Sequence, residues 1–217
     1  LSLPHVARLG EEDFLVAPSN AAAHGLVTGW PRWPDRLLLL VGSSGAGKSH
    51  LGAIWARLSG AEATSEPEAA IEALRRPGDE PRVLLDGADG ADESALFHVL
   101  NLARERRAHL LVTARSGPSL LWPTLPDLAS RLRALPAARL EPPDEATIKA
   151  VLVKLLDDRQ LVVEAGVVDY VARQVERSLG ALRDLVDELD RESLARGRPV
   201  GRGLAADVIA RIRDGED

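Results

Sequence analysis

Short apolar runs of strand length alternate with longer segments in which apolar residues return every three or four positions, and this alternation persists to about residue 142. The runs at 37–41, 82–85, 109–113 and 138–140, with a fainter one at 61–64, predict five strands. The periodic segments at 20–29, 48–58, 67–75, 93–107 and 127–133 predict the helices around them. Strands alternating with helices in this way imply an α/β fold in which a five-stranded parallel sheet is flanked by helices. Pro77-Gly78 is the breaker ahead of the strand at 82–85, and Trp30 and Trp33 are expected to pack the turn before the strand at 37–41.

Beyond Pro142 and Pro143 the strand signal stops. Asp144 is placed as an N-cap behind the prolines, and the segments 145–159, 163–176, 180–196 and 203–213 each carry an apolar stripe at helical spacing. The expected organisation is an N-terminal tail over 1–10, an α/β domain over 11–142 and a small all-helical domain over 143–217.

Composition narrows the function classes. With 27 basic against 33 acidic residues the formal charge is −6, so the 217-residue chain as a whole lacks the basic footprint of a protein that wraps nucleic acid. The arginine groups Arg104, Arg106, Arg107 and Arg196, Arg198, Arg202 read as helix ends. There is no cysteine, which suits a reducing compartment, and the cytoplasm is the expected location. The apolar run at 37–41 is far too short to span a bilayer, and no leader pattern is visible. The chain starts at Leu1 and contains no Met, so residues are expected to precede it. His5, His24, His50, His98 and His109 show no metal-ligand spacing.

The chemistry concentrates in Gly42, Ser43, Ser44, Gly45, Ala46, Gly47, Lys48 and Ser49, a G-x-x-x-x-G-K-S phosphate loop set between an apolar strand and a helical segment. Its glycines let backbone N–H groups turn toward phosphate oxygens. Lys48, one of only three lysines, supplies a positive charge to the β and γ phosphates, Ser49 can ligate Mg²⁺, and the helix start adds its partial positive charge. The strand at 82–85 runs into Asp86, the expected Mg²⁺ acid, but the next residue is Gly87 where many such ATPases carry the acid that polarises water. Intrinsic hydrolysis is therefore expected to be weak or absent, with Asp89 the nearest replacement acid in sequence.

Gly47-Lys48-Ser49-His50-Leu51, Asp13-Phe14-Leu15-Val16 with Ser19-Asn20, and Leu125-Pro126-Asp127-Leu128-Ala129-Ser130-Arg131-Leu132 together resemble the DnaA family of bacterial replication proteins, most of all its short Hda-type regulators. The resemblance covers nearly the whole chain. It implies a P-loop AAA+ domain followed by a helical lid, with ADP or ATP and Mg²⁺ as cofactors. Leu15 and Val16 would line the base pocket and His50 would follow the phosphate loop in the nucleotide site. Arg131 would be an arginine finger acting on a neighbouring subunit's nucleotide, and Arg183 the lid arginine that senses phosphate in its own subunit. Leu1, Ser2, Leu3 and Pro4 would be the end of a peptide that docks on the replicative sliding clamp.

The chain also departs from the family. Arg115 stands where the family usually has a sensor acid, leaving Thr113 as the candidate sensor. The interval from Lys48 to Asp86 is too short for the helices that grip single-stranded DNA in the initiator, and no helix-turn-helix segment follows the lid, so sequence-specific DNA binding is not expected. The expected function is regulatory inactivation of the initiator DnaA by clamp-assisted stimulation of its ATP hydrolysis, a homodimer that hides Arg131 being one conceivable state. The alternatives are a helicase or transposase loader, and a non-hydrolysing tether between DnaA and the clamp.

Overall fold

The computed structural model describes residues 14–78, 80–119, 122–175 and 179–214, so the tail expected over 1–10 lies outside the described residues. The chain divides into two compact units, one running to Glu141 and the other starting at Pro142.

In chain order the first unit contains α1 (Ala21–Thr28), β1 (Leu37–Gly42), α2 (Lys48–Ser59), β2 (Glu62–Thr64), α3 (Pro67–Arg75), β3 (Arg82–Leu85), α4 (Glu93–Glu105), β4 (His109–Ala114), α5 (Pro126–Arg133) and β5 (Ala137–Leu140). The strands form one sheet in the order β2-β3-β4-β1-β5, with every pairing parallel. The five-stranded parallel sheet expected from the sequence is therefore the one observed, and the faint run at 61–64 is its edge strand. Successive side chains of a strand point to opposite faces. In β1 this sends Leu37, Leu39 and Val41 into a core shared with α3, α4 and α5, while Leu38 and Leu40 enter a second core with Ala23, Val27, Leu51, Ile54 and Trp55 of α1 and α2. β1 therefore has helices on both sides, which is why its sequence is apolar without interruption.

The aromatic residues seal one end of this second core. Trp33 stacks on Trp55 with ring centroids 5.1 Å apart and donates its indole N–H to the Val27 carbonyl at 3.1 Å. Asn20 is buried just ahead of α1, accepting from the Ala17 N–H at 2.8 Å and donating to the Leu15 carbonyl at 2.8 Å, which fixes the chain entering the domain. Helix ends differ from the sequence expectation by one to two residues where the backbone turns left-handed. The segment expected at 93–107 stops at Glu105 because Arg107 has φ 53°, and the end of α4 is held by Arg106 donating to the carbonyls of Arg76 and Gly78. Arg106 is thus tied into a neighbouring turn, whereas the Arg107 side chain is exposed.

The second unit contains α6 (Glu145–Asp158), α7 (Ala165–Gln174), α8 (Leu179–Arg196) and α9 (Arg202–Asp214). The carboxylate of Asp144 accepts from the Thr147 N–H at 2.7 Å, the capping role its position predicts. Ile148, Leu152, Val171, Leu182, Leu185, Val186, Leu189, Ala205 and Val208 are buried, and Arg159 is paired with Asp187, joining the end of α6 to α8.

Candidate phosphate-loop site

The loop from Gly42 to Ser49 leaves the carboxyl end of β1 and enters α2. In a parallel sheet, ligands bind outside the carboxyl ends of the strands where the connections diverge to opposite sides. β1 is such a place, because the chain passes from it to β2 at the far edge and later returns to its other side as β5. Gly42 is required by close approach: a Cβ there would stand 2.8 Å from the Leu140 carbonyl oxygen of β5. Gly47 is required by conformation, with φ 96° where the loop turns into the helix. The first-turn N–H groups of α2 have no intrahelical acceptors, and with the helix dipole they form an anion-binding end.

The Lys48 ammonium is half-buried and donates to the carbonyls of Gly42 at 2.8 Å and Ser43 at 2.9 Å. Burial pushes its pKa below the ordinary lysine value, with Arg115 acting in the same direction and the carboxylates of Asp89 and Asp86 opposing it. The ends of β1, β3 and β4 are thus near enough for their charges to act on one another.

Asp86 follows β3, its N–H bonded to the Thr64 carbonyl at 2.8 Å, and its carboxylate accepts from the Thr113 hydroxyl at the end of β4. The Thr113 oxygen in turn accepts from the Gly87 N–H at 2.9 Å. Ser49 and Asp86, the two expected Mg²⁺ residues, line the same open cleft, together with Thr64, Ser65 and Arg57. A hydroxyl and a carboxylate are hard oxygen donors of the kind Mg²⁺ accepts alongside waters and phosphate. Asp89 is differently engaged: its carboxylate accepts from the Arg115 N–H at 2.9 Å and pairs with the Arg115 guanidinium at 3.1 Å.

Of the expected base-pocket residues, Leu15 is half-buried and Val16 is exposed. Phe14, in the same stretch, is the residue to which the sequence reading gave no role. Its ring stacks on His24 with centroids 5.4 Å apart and meets His50 edge-on at 5.2 Å, and its edge lies 3.4 Å from where a Cβ on Gly47 would be. Phe14 therefore walls the entry to α2 beside the phosphate loop, and its place in the Asp13-Phe14-Leu15-Val16 stretch was the available signal.

Arg131 lies on the exposed face of α5, its guanidinium 4.8 Å from the centroid of the Phe97 ring of α4. Arg183 is half-buried on α8 of the second unit. Leu1 to Pro4 lie outside the described residues.

No family model matches the chain. The chromosomal replication initiator DnaA of Thermomicrobium roseum is 25% identical over 230 residues, an alignment covering 91% of this chain and 48% of that protein. Its counterpart from Thermotoga petrophila is 24% identical over 209 residues, covering 82% and 47%. The chain thus spans about half the length of the curated relatives it matches. Among solved structures, domain III of the Thermotoga maritima initiator DnaA superposes with a TM-score of 0.72 at 23% identity, covering 92% of this chain and 95% of that one. Along most of its length the chain is thus similar in sequence to the replication initiator DnaA, and it shares the fold of that protein's domain III.

Proposed function

We propose that this protein is a nucleotide-loaded regulator of a DnaA-type initiator. In this reading it holds ADP or ATP with Mg²⁺ on the phosphate loop, docks on the DNA-loaded sliding clamp through Leu1 to Pro4, and presents Arg131 to ATP bound by the initiator. The Arg131 guanidinium stabilises charge developing on the transferred phosphoryl group, and the initiator passes to its ADP form. Gly42 to Ser49 cradle the protein's own nucleotide, Phe14, Leu15, Val16 and His50 flank it, and Arg183 contributes from the helical lid. Such a regulator acts in the cytoplasm and opens no origin itself.

The observation that supports this reading is a division of roles among side chains. The site has a phosphate loop and a metal acid, but Gly87 follows Asp86 and the nearby Asp89 is paired with Arg115, which leaves the chain's own hydrolysis poorly served. Arg131, by contrast, is displayed on α5. The test is hydrolysis of ATP pre-bound to the cognate initiator in the presence of clamp-loaded DNA. Acceleration by the wild type that disappears in Arg131→Ala is the expected result. No acceleration by a nucleotide-loaded, clamp-bound wild type rejects the regulator reading and leaves a tether or loader. Acceleration that is indifferent to the clamp rejects the docking step.

A further inference from the structure

α4 touches the finger helix at two points one turn apart. At its first residue, the Glu93 carboxylate accepts from the Thr124 N–H at 2.8 Å, the Thr124 hydroxyl at 2.9 Å and the Leu125 N–H at 2.7 Å, the last two amides before α5 begins at Pro126. Four residues on, and so on the same face of α4, Phe97 carries the Arg131 guanidinium over its ring. α5 has no side-chain N-cap of its own, since Leu125 occupies that position. Its entry is instead fixed from another helix by a charged acceptor, and bonds of that kind are among the stronger hydrogen bonds. These donors also hold the Glu93 pKa below the ordinary glutamate value, the Thr124 N–H contributing most. Glu93 itself follows Asp92, whose carboxylate caps α4 by accepting from the Ala95 N–H at 2.8 Å, so the anchor sits on a fixed helix start.

We infer that Glu93 is a positioning residue for Arg131: by tying Thr124 and Leu125 to the start of α4 it sets the azimuth and height of α5, and so the point at which the guanidinium is delivered to a partner's phosphate. This rests on the regulator reading. Transfer chemistry depends on placement, and a displacement of about 1 Å can reduce a rate roughly 100-fold. The effect of loosening α5 therefore falls on the maximal rate, with the affinity between the proteins left alone.

The experiment uses the full chain, clamp-loaded DNA and initiator-bound ATP, and titrates wild type, Glu93→Gln, Thr124→Val and Arg131→Ala. Glu93→Gln is expected to lower the maximal stimulated rate by roughly 10-fold to 100-fold at an unchanged half-saturating concentration. Its Thr124 and Leu125 amides are expected to exchange faster with deuterium. Thr124→Val removes only the hydroxyl bond and is expected to give a smaller loss of the same kind; it decides the matter if Glu93→Gln fails to fold. An unchanged maximal rate overturns the positioning role, as does a loss expressed only as a raised half-saturating concentration. Failure of the wild type to stimulate, or full stimulation by Arg131→Ala, overturns the regulator reading itself and the inference with it. Those two controls do not involve Glu93, so the two failures are distinguishable.

Discussion

Thr113 holds Asp86: its hydroxyl donates to the carboxylate while its oxygen receives the Gly87 N–H at 2.9 Å, so the acid at the end of β3 is oriented from the neighbouring strand β4. The relationship exists because β3 and β4 are adjacent and in register, with Leu85 opposite Val112. It holds the carboxylate of Asp86, the expected Mg²⁺ acid, in the cleft that Ser49 also lines.

Replacing Thr113 by Val keeps the shape and removes both bonds. The Asp86 carboxylate loses its donor and the exposed Gly87 N–H its acceptor, and a hydrogen bond to a charged group contributes about 1.5–3 kcal/mol. We expect a lower Tm for Thr113→Val, and a fall in nucleotide affinity that is larger with Mg²⁺ than with EDTA. Calorimetric titration of ADP under both conditions measures it, and equal losses would separate Thr113 from the metal.

Lys48→Ala is expected to leave the nucleotide-free protein nearly as stable as the wild type, because removing a partly desolvated ammonium compensates for the two carbonyl bonds it makes. Bonds to charged groups contribute about 1.5–3 kcal/mol, so ADP affinity is expected to fall by roughly 10-fold to 100-fold. The check is the thermal shift on adding ADP: present in the wild type, absent in Lys48→Ala at the same concentration. A full shift in the variant would remove Lys48 from the site.

His109 opens β4 in a buried position against Trp30 and Trp33, with ring centroids 5.6 Å and 6.4 Å away. Burial holds its pKa below the ordinary histidine value, reinforced by Arg36 and Arg82 and opposed by Glu80. The unfolded chain therefore takes up a proton at this residue at a higher pH than the folded one. The associated stability is complete above the unfolded pKa of about 6.5 and declines as pH falls below it, by at most about 1.4 kcal/mol per pH unit. His109→Phe is expected to remove this part of the acid-side decline; urea melts of both proteins from pH 7.5 to 5 measure the difference, and parallel curves would refute it.

Leu39 is 1% exposed at the middle of β1, whereas Val162 is 88% exposed. Leu39→Ala opens a cavity between the sheet and the helices on one face and is expected to destabilise by about 2–5 kcal/mol. Val162→Ala is expected to change stability by less than about 0.5 kcal/mol. Denaturant midpoints compare the two, and similar values would contradict the core assignment of β1.

The sequence by itself determined the local and periodic features. Short unbroken apolar runs between breakers marked strands by their length, Gly47 followed by Lys48 marked a phosphate loop by its turn residue and its charge, and Asp144 behind two prolines marked a helix start. These signals come from residues close together in the chain. The tertiary structure alone decided the contacts made across it. Thr113 reaches Asp86 over 27 residues, Arg115 engages Asp89 over 26, and Glu93 reaches Thr124 and Leu125 over 31 and 32. Each of these depends on which strands and helices become neighbours. The order β2-β3-β4-β1-β5 is a property of the packed sheet, and the short polar side chains that meet at its carboxyl ends carry no periodicity by which the pairing could have been read.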